Sequence, residues 1–273
     1  MKAGEPGTSS EEASHLPAEK ALGEPLLSCE KLVIGYGGKA MLPPIDLTVR
    51  RGQFVAVIGR NGSGKSTWFK TLLGLIEPVS GSVSRAGPHV RSAYVPQTSA
   101  IDALLPVRTR ELTAWGRLSG WNFLRPFAAR SDRHAVDTAI DTAGARAIAH
   151  RPYRELSEGQ KQRALLARVI ATEADLVLLD EPTAAMDAVA ERETMQRLCA
   201  LSRERGLGVV VVSHDLIVAA EHADVLLFVD RETSAIVMGD ARTVFCHPAF
   251  RRQYGDDYCQ RAPPGPHRGT DAG

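Results

Sequence analysis

Apolar positions fall into two textures along the chain, and their alternation predicts its organisation. Short runs in which every residue is apolar, 54–58, 176–179 and 209–212, have strand length and are bounded by charged, polar or glycine residues. Between and after them, 68–73, 159–172, 188–205 and 216–223 suit helices. Fully apolar strands alternating with helices predict a parallel sheet covered on both faces. Ahead of them, 26–33 and 45–49 have the β character of a hairpin or meander around the turn Gly35-Tyr36-Gly37-Gly38, and 225–229 with 235–237 predict a closing hairpin. From about residue 99 to 150 strand runs vanish, and Ala, Arg, Asp, Leu and Trp recur at loosely helical spacing, broken by Pro106 and Pro126. That stretch predicts a helical insertion.

The ends differ from this middle. Residues 1–25 are rich in Glu, Ser, Ala, Gly and Pro, and lack the basic start and apolar stretch of a secretory signal, so they are expected to form a disordered extension of a cytoplasmic protein. One domain is expected over 26–250 and a tail over 251–273, with the Pro/Gly-rich part from Arg261 disordered. A chain of 273 residues with 44% hydrophobic content can build a sizeable core. No run approaches the roughly 18 apolar residues of a membrane span; if membranes matter, a partner chain crosses them. A formal net charge of +1 gives no footprint of nucleic-acid binding. Cys29, Cys199, Cys246 and Cys259 are scattered without a C-x-x-C pair, which argues against a zinc site or disulfide framework and predicts free thiols.

The candidate chemistry begins with Gly59-Arg60-Asn61-Gly62-Ser63-Gly64-Lys65-Ser66-Thr67, which matches Gly-x4-Gly-Lys-Ser at every fixed position between a strand and a helix. The glycines let the backbone curl so that N–H groups point at phosphate oxygens, beside the positive dipole end of the next helix. Lys65 is placed to reach the β- and γ-phosphates, and Ser66 to put a hydroxyl on Mg²⁺. The loop predicts nucleoside triphosphate binding and leaves kinase, GTPase, helicase and transport ATPase open. Asp180 and Glu181, before Pro182, end the strand 176–179, which is expected to lie beside the phosphate-loop strand. Asp180 is placed to hold Mg²⁺, directly or through water, and Glu181 to orient or deprotonate the water attacking the γ-phosphate.

About twenty residues earlier lies Leu156-Ser157-Glu158-Gly159-Gln160. With it the chain resembles the ABC ATPase family, whose signature Leu-Ser-Gly-Gly-Gln it matches except at Glu158, and the resemblance covers roughly 26–245. What it implies is an α/β fold of the P-loop NTPase, ABC-cassette type: a mostly parallel sheet core, an antiparallel β subdomain and a helical subdomain. It further implies that Tyr36 stacks on adenine, that Gln97 contacts Mg²⁺ or water and links the ATP site to the helical insertion, and that His214 hydrogen-bonds the γ-phosphate. Asp187 would belong to a loop that communicates across a head-to-tail homodimer. There Ser157, Gly159 and Gln160, at a helix start, would receive the γ-phosphate of ATP held by the other subunit. Glu158 is expected to alter affinity or rate without abolishing function, and Met186 stands where leucine is common.

The stretch from Tyr94-Val95-Pro96-Gln97 through 101–107 to Glu111-Leu112 and Trp115-Gly116-Arg117 looks like that of zinc, manganese and iron-chelate uptake ATPases. The resemblance therefore implies an ATPase at the inner face of the cell membrane, powering separate permease subunits together with an extracytoplasmic solute-binding protein. The alternatives are a non-metal transporter or exporter, and a non-transport ABC ATPase acting on ribosomes or DNA. Against the latter, the segment between loop and signature is only about 90 residues with no sustained heptads, a single cassette is present and the charge balance is close to neutral. A small-molecule kinase leaves the signature segment and His214 unexplained.

Overall fold

The structure is a computed structural model and describes residues 23–96, 107–117, 130–184 and 186–264. In chain order its strands are β1 (Pro25–Val33), β2 (Gly35–Tyr36), β3 (Lys39–Ala40), β4 (Ile45–Arg50), β5 (Phe54–Ile58), β6 (Ser80–Arg85), β7 (Ser92–Val95), β8 (Leu176–Asp180), β9 (Gly208–Val212), β10 (Val225–Asp230) and β11 (Ala235–Gly239). The helices are α1 (Lys65–Leu72), α2 (Thr109–Ala114), α3 (Arg130–Thr142), α4 (Glu158–Ala171), α5 (Ala188–Arg205), α6 (Leu216–His222), α7 (Ala241–Phe245), α8 (Pro248–Tyr254) and α9 (Asp257–Gln260).

The apolar strands β5, β8, β9 and β10 are buried along their whole length, as both-face burial requires. They lie in a six-stranded sheet of order β11-β10-β5-β9-β8-β7. All neighbours are parallel except the β10–β11 hairpin. Strand alternation divides the core between the two faces. Phe54, Ala56 and Ile58 join residues of α4 to α8 on one side, whereas Val55 and Val57 join α1, β1 and β4 on the other. The second layer is the antiparallel sheet β4-β1-β6. A third apolar cluster, including Val107, Leu112, Val136, Ile140, Tyr153, Leu156 and Ala164, gives the helical layer of α2, α3 and α4 its own core.

Three expectations need correction. The strand bearing Asp180 does not adjoin the phosphate-loop strand: β9 lies between them, with Val209 opposite both Phe54 and Val177. Four consecutive valines make β9 suited to full burial at the centre of the sheet. Secondly, the fold does not give way to a tail at residue 251. His247 caps α8, Pro248 begins it, and Phe250 is fully buried against Phe228, Phe245, Tyr254 and Tyr258. Thirdly, Cys246 and Cys259 are joined in a disulfide, because α8 and the start of α9 fold back to bring their Cα atoms to 4.6 Å. Cys29 and Cys199 are free and buried. Among the described residues, no helix is long and apolar enough to cross a membrane.

Candidate nucleotide-binding site

The loop after β5 is shaped by close approaches that exclude a side chain. Gly59 has φ +148°, and a Cβ there would lie 2.2 Å from the Val229 carbonyl oxygen of β10. Gly64, at φ +106°, turns the chain into α1. Lys65 opens that helix and is buried, its Nζ donating to the carbonyls of Gly59 at 2.7 Å and Arg60 at 2.9 Å. The ammonium thus closes the loop on itself. Burial pulls its pKa below the ordinary lysine value, and the charges of Glu181 and Asp180 oppose that shift.

Asp180 and Glu181 stand at the end of β8. Asp180 accepts a hydrogen bond from the Tyr94 hydroxyl at 3.1 Å. Burial, reinforced by that carboxylate, pushes the Tyr94 phenol up to about 12, so it remains a donor that holds Asp180 in place. Glu181 has a left-handed backbone, φ +48°, which turns the chain sharply out of the strand. Its Oε1 lies 2.7 Å from His214 Nε2. Since the partner is a carboxylate oxygen, Nε2 carries a proton and donates it. His214 follows β9, the central strand, which is how residues 33 positions apart meet.

A cleft of about 400 Å³ opens beside this pair, lined by 59–61, Ser213, His214, Leu216 and Tyr254. Tyr254 comes from α8, in the segment expected to be a tail. At the loop's other edge the Tyr36 hydroxyl meets the Thr67 hydroxyl at 3.3 Å, leaving over half of Tyr36 exposed. Asp187 caps α5, accepting from the Ala190 N–H at 2.8 Å. Neither Tyr94 nor Tyr254 was singled out as a site residue by sequence. A phenol directly before Val95-Pro96 gives little signal until β7 is seen to pair with β8.

The signature segment sits elsewhere in the chain. Ser157 caps α4, its N–H bonded to Gln160 Oε1 at 3.1 Å, and Ser157 and Gly159 are exposed at the helix start. Their helix packs on α2, α3 and α5, so within one chain they belong to the helical layer and not to the Lys65 cluster. Glu158 folds back along its own helix, with Oε1 3.4 Å from Lys161 Nζ. Gln97 lies outside the described residues.

The residues present fit a nucleotide. The Ser63 hydroxyl is buried with no hydrogen-bond partner among the described residues, and Lys65 Nζ donates to two backbone carbonyls that a phosphate can replace. The exposed Ser66 hydroxyl and the Asp180 carboxylate are hard oxygen donors of the kind Mg²⁺ takes.

Residues 42–184 match the family described as ABC transporter. The chain belongs to the ABC transporter family. It is an ABC ATPase, binding and hydrolysing ATP. It is 34% identical over 236 residues to the zinc import ATP-binding protein ZnuC of Pseudomonas entomophila (strain L48), covering 86% of each chain. It is also 34% identical to the manganese transport system ATP-binding protein MntB of Bacillus subtilis (strain 168), covering 83% of this chain and 91% of that one. In three dimensions the ABC ATPase is similar to an ATP-binding cassette in its ADP conformation, with TM-score 0.71 at 20% identity, over 84% of this chain and 98% of that one. That likeness concerns the fold.

Proposed function

We propose that this ABC ATPase powers uptake of a divalent transition-metal ion, zinc or manganese, or of an iron chelate, through separate permease subunits at the inner face of the cell membrane. An extracytoplasmic binding protein would deliver the cargo. The cargo class is supported by the 34% identity with zinc and manganese transport ATPases over more than four-fifths of the chain. The observation that carries the hydrolytic mechanism is the 2.7 Å contact between Glu181 and His214 beside the buried Lys65.

In this reading Lys65 leaves the Gly59 and Arg60 carbonyls for the β- and γ-phosphates, exchanging neutral acceptors for charged ones. Glu181 takes a proton from the attacking water, and the His214 Nε2–H, which meets the carboxylate before ATP binds, is placed to turn toward the γ-phosphate. Asp180, directly or through water, and Ser66 would hold Mg²⁺, with Gln97 contacting the ion or its water, and the bound ion would supply neutralising charge at the phosphates. Tyr36 covers the adenine. The loop backbone, with Arg60, Asn61, Gly62, Ser63 and Thr67 around it, cradles the phosphates. A head-to-tail second subunit brings the exposed α4 start, Ser157 and Gly159 with Gln160 behind them, onto the γ-phosphate. The turn of Glu158 toward Lys161 leaves that helix end open to an anion. Asp187 lies at the loop through which the subunits sense each other.

The test is to recover the chain with its membrane partners in the presence of ATP and reconstitute them in vesicles. ATP-dependent accumulation of radiolabelled zinc or manganese supports the proposal. Stimulation of ATP hydrolysis by ribosomes or DNA, without any co-purifying multi-span protein, contradicts it.

A further inference from the structure

We propose that Glu191 is a positioning residue for ATP hydrolysis, a brace that holds the chain segments leaving β8 and β9 at the separation where Glu181 and His214 meet. The inference rests on the reading of those two residues as the hydrolytic pair. Glu191 lies in the first turn of α5 and acts through the residues that flank the pair. Its Oε1 instead accepts from Thr183 Oγ1 at 2.9 Å and lies 3.3 Å from Ser213 Oγ. Thr183 stands two residues beyond Glu181, and Ser213 directly precedes His214. One carboxylate oxygen therefore ties together the two strand exits that carry the pair.

Several observations give the brace physical weight. Both residues are nearly inaccessible, Thr183 at 4% and Ser213 at 1% exposure, so water cannot readily replace a lost acceptor. The single Ser213 proton is shared between Glu191 and the Asp215 carbonyl, 3.2 Å away. Without Glu191, Ser213 would turn wholly to Asp215 and its tie to α5 would be lost. The neighbouring cap from Asp187 to the Ala190 N–H fixes the same turn of α5, so the brace has a rigid anchor. Glu181 depends on such support because its left-handed backbone is held by its surroundings and not by its own preference. A neutral amide oxygen can accept the same two hydrogen bonds, so the brace needs an acceptor and not a charge.

The test compares Glu191→Ala, Glu191→Gln, Thr183→Val and Glu181→Gln in the full chain, alone and with its co-purifying membrane partner. Steady-state ATP hydrolysis is measured beside binding of a fluorescent ATP analogue. Glu191→Ala is expected to lower kcat about 10- to 100-fold, the scale of a small misplacement of reacting groups, while KM and analogue affinity stay within about threefold. Glu191→Gln is expected to recover kcat to within about threefold of the parent. Full kcat in Glu191→Ala, or a Glu191→Gln variant as slow as Glu191→Ala, overturns the proposal. Equal losses in kcat and affinity overturn it as well. If Glu191→Ala does not fold, Thr183→Val, which removes one hydroxyl, must lower kcat without moving KM, and a full rate there overturns the brace. Loss of hydrolysis in Glu181→Gln with full hydrolysis in Glu191→Ala removes the brace alone. Full hydrolysis in Glu181→Gln removes the hydrolytic pair on which it rests.

Discussion

Replacing Phe250 by alanine probes whether the segment after α7 belongs to the ATPase domain. The ring is fully buried. Its centroid lies 4.8 Å from that of Phe245, 5.2 Å from Phe228, 4.8 Å from Tyr254 and 5.8 Å from Tyr258. Losing roughly 150 Å² of buried apolar surface at about 25 cal/mol per Å² costs about 4 kcal/mol, within the roughly 3–5 kcal/mol that buried Phe→Ala changes show. At about 2–4 °C per kcal/mol for a domain of this size, the thermal midpoint should fall by roughly 8–16 °C. Circular dichroism melts of the nucleotide-free, oxidised protein at fixed concentration measure it. Tyr258→Ala is the control, because that ring is only partly buried and should cost less than half as much. A shift of under about 3 °C for Phe250→Ala would refute the reasoning. It would mean that α8 is not docked in solution and that Tyr254 does not line the cleft.

Other positions give sharper local tests. Gly59→Ala places a methyl 2.2 Å from the Val229 carbonyl at a φ that alanine resists, so the loop must shift. Affinity for an ATP analogue should drop more than about tenfold, and parental affinity in a titration would show that the loop tolerates a side chain. His222 supplies a pH dependence. Burial pulls its pKa below the ordinary value, with Glu221 pushing it up and Arg192 and Arg203 pushing it down, and its Nε2 is buried without a partner among the described residues. The unfolded chain therefore binds a proton that the folded chain refuses. The stability contribution is complete above about pH 6.5 and is lost as pH falls below it. His222→Gln should flatten the decline in urea midpoint between about pH 7.5 and 5.5; an unchanged slope would remove His222 as its source.

Much of the fold is legible in sequence because burial on both faces writes itself as unbroken apolar runs. The expected strand 209–212 and helix 188–205 correspond to Gly208–Val212 and Ala188–Arg205. Strand order is another matter, since each apolar run satisfies the same pattern and only packing decides that β9 and not β8 adjoins β5. β6 escapes notice because Ser80–Arg85 is largely exposed and polar, so no alternation marks it. The C-terminal helices escape it because they are short and their aromatic residues pack on Phe228, far away in sequence. At the site, the phosphate loop and Asp180-Glu181 are contiguous and therefore readable. The Tyr94 bond to Asp180 and the Glu191 brace join residues 86 and 22 or fewer positions apart, and their partners are chosen by the sheet.

The central claim is that Glu181, held by His214, drives ATP hydrolysis in this ABC ATPase, and Glu181→Gln tests it most directly. Paired ATP-binding and phosphate-release measurements should show binding retained, turnover reduced about 10²- to 10⁴-fold as expected for loss of a general base, and a dimer that persists with ATP. Phosphate release at the parental rate would contradict the account.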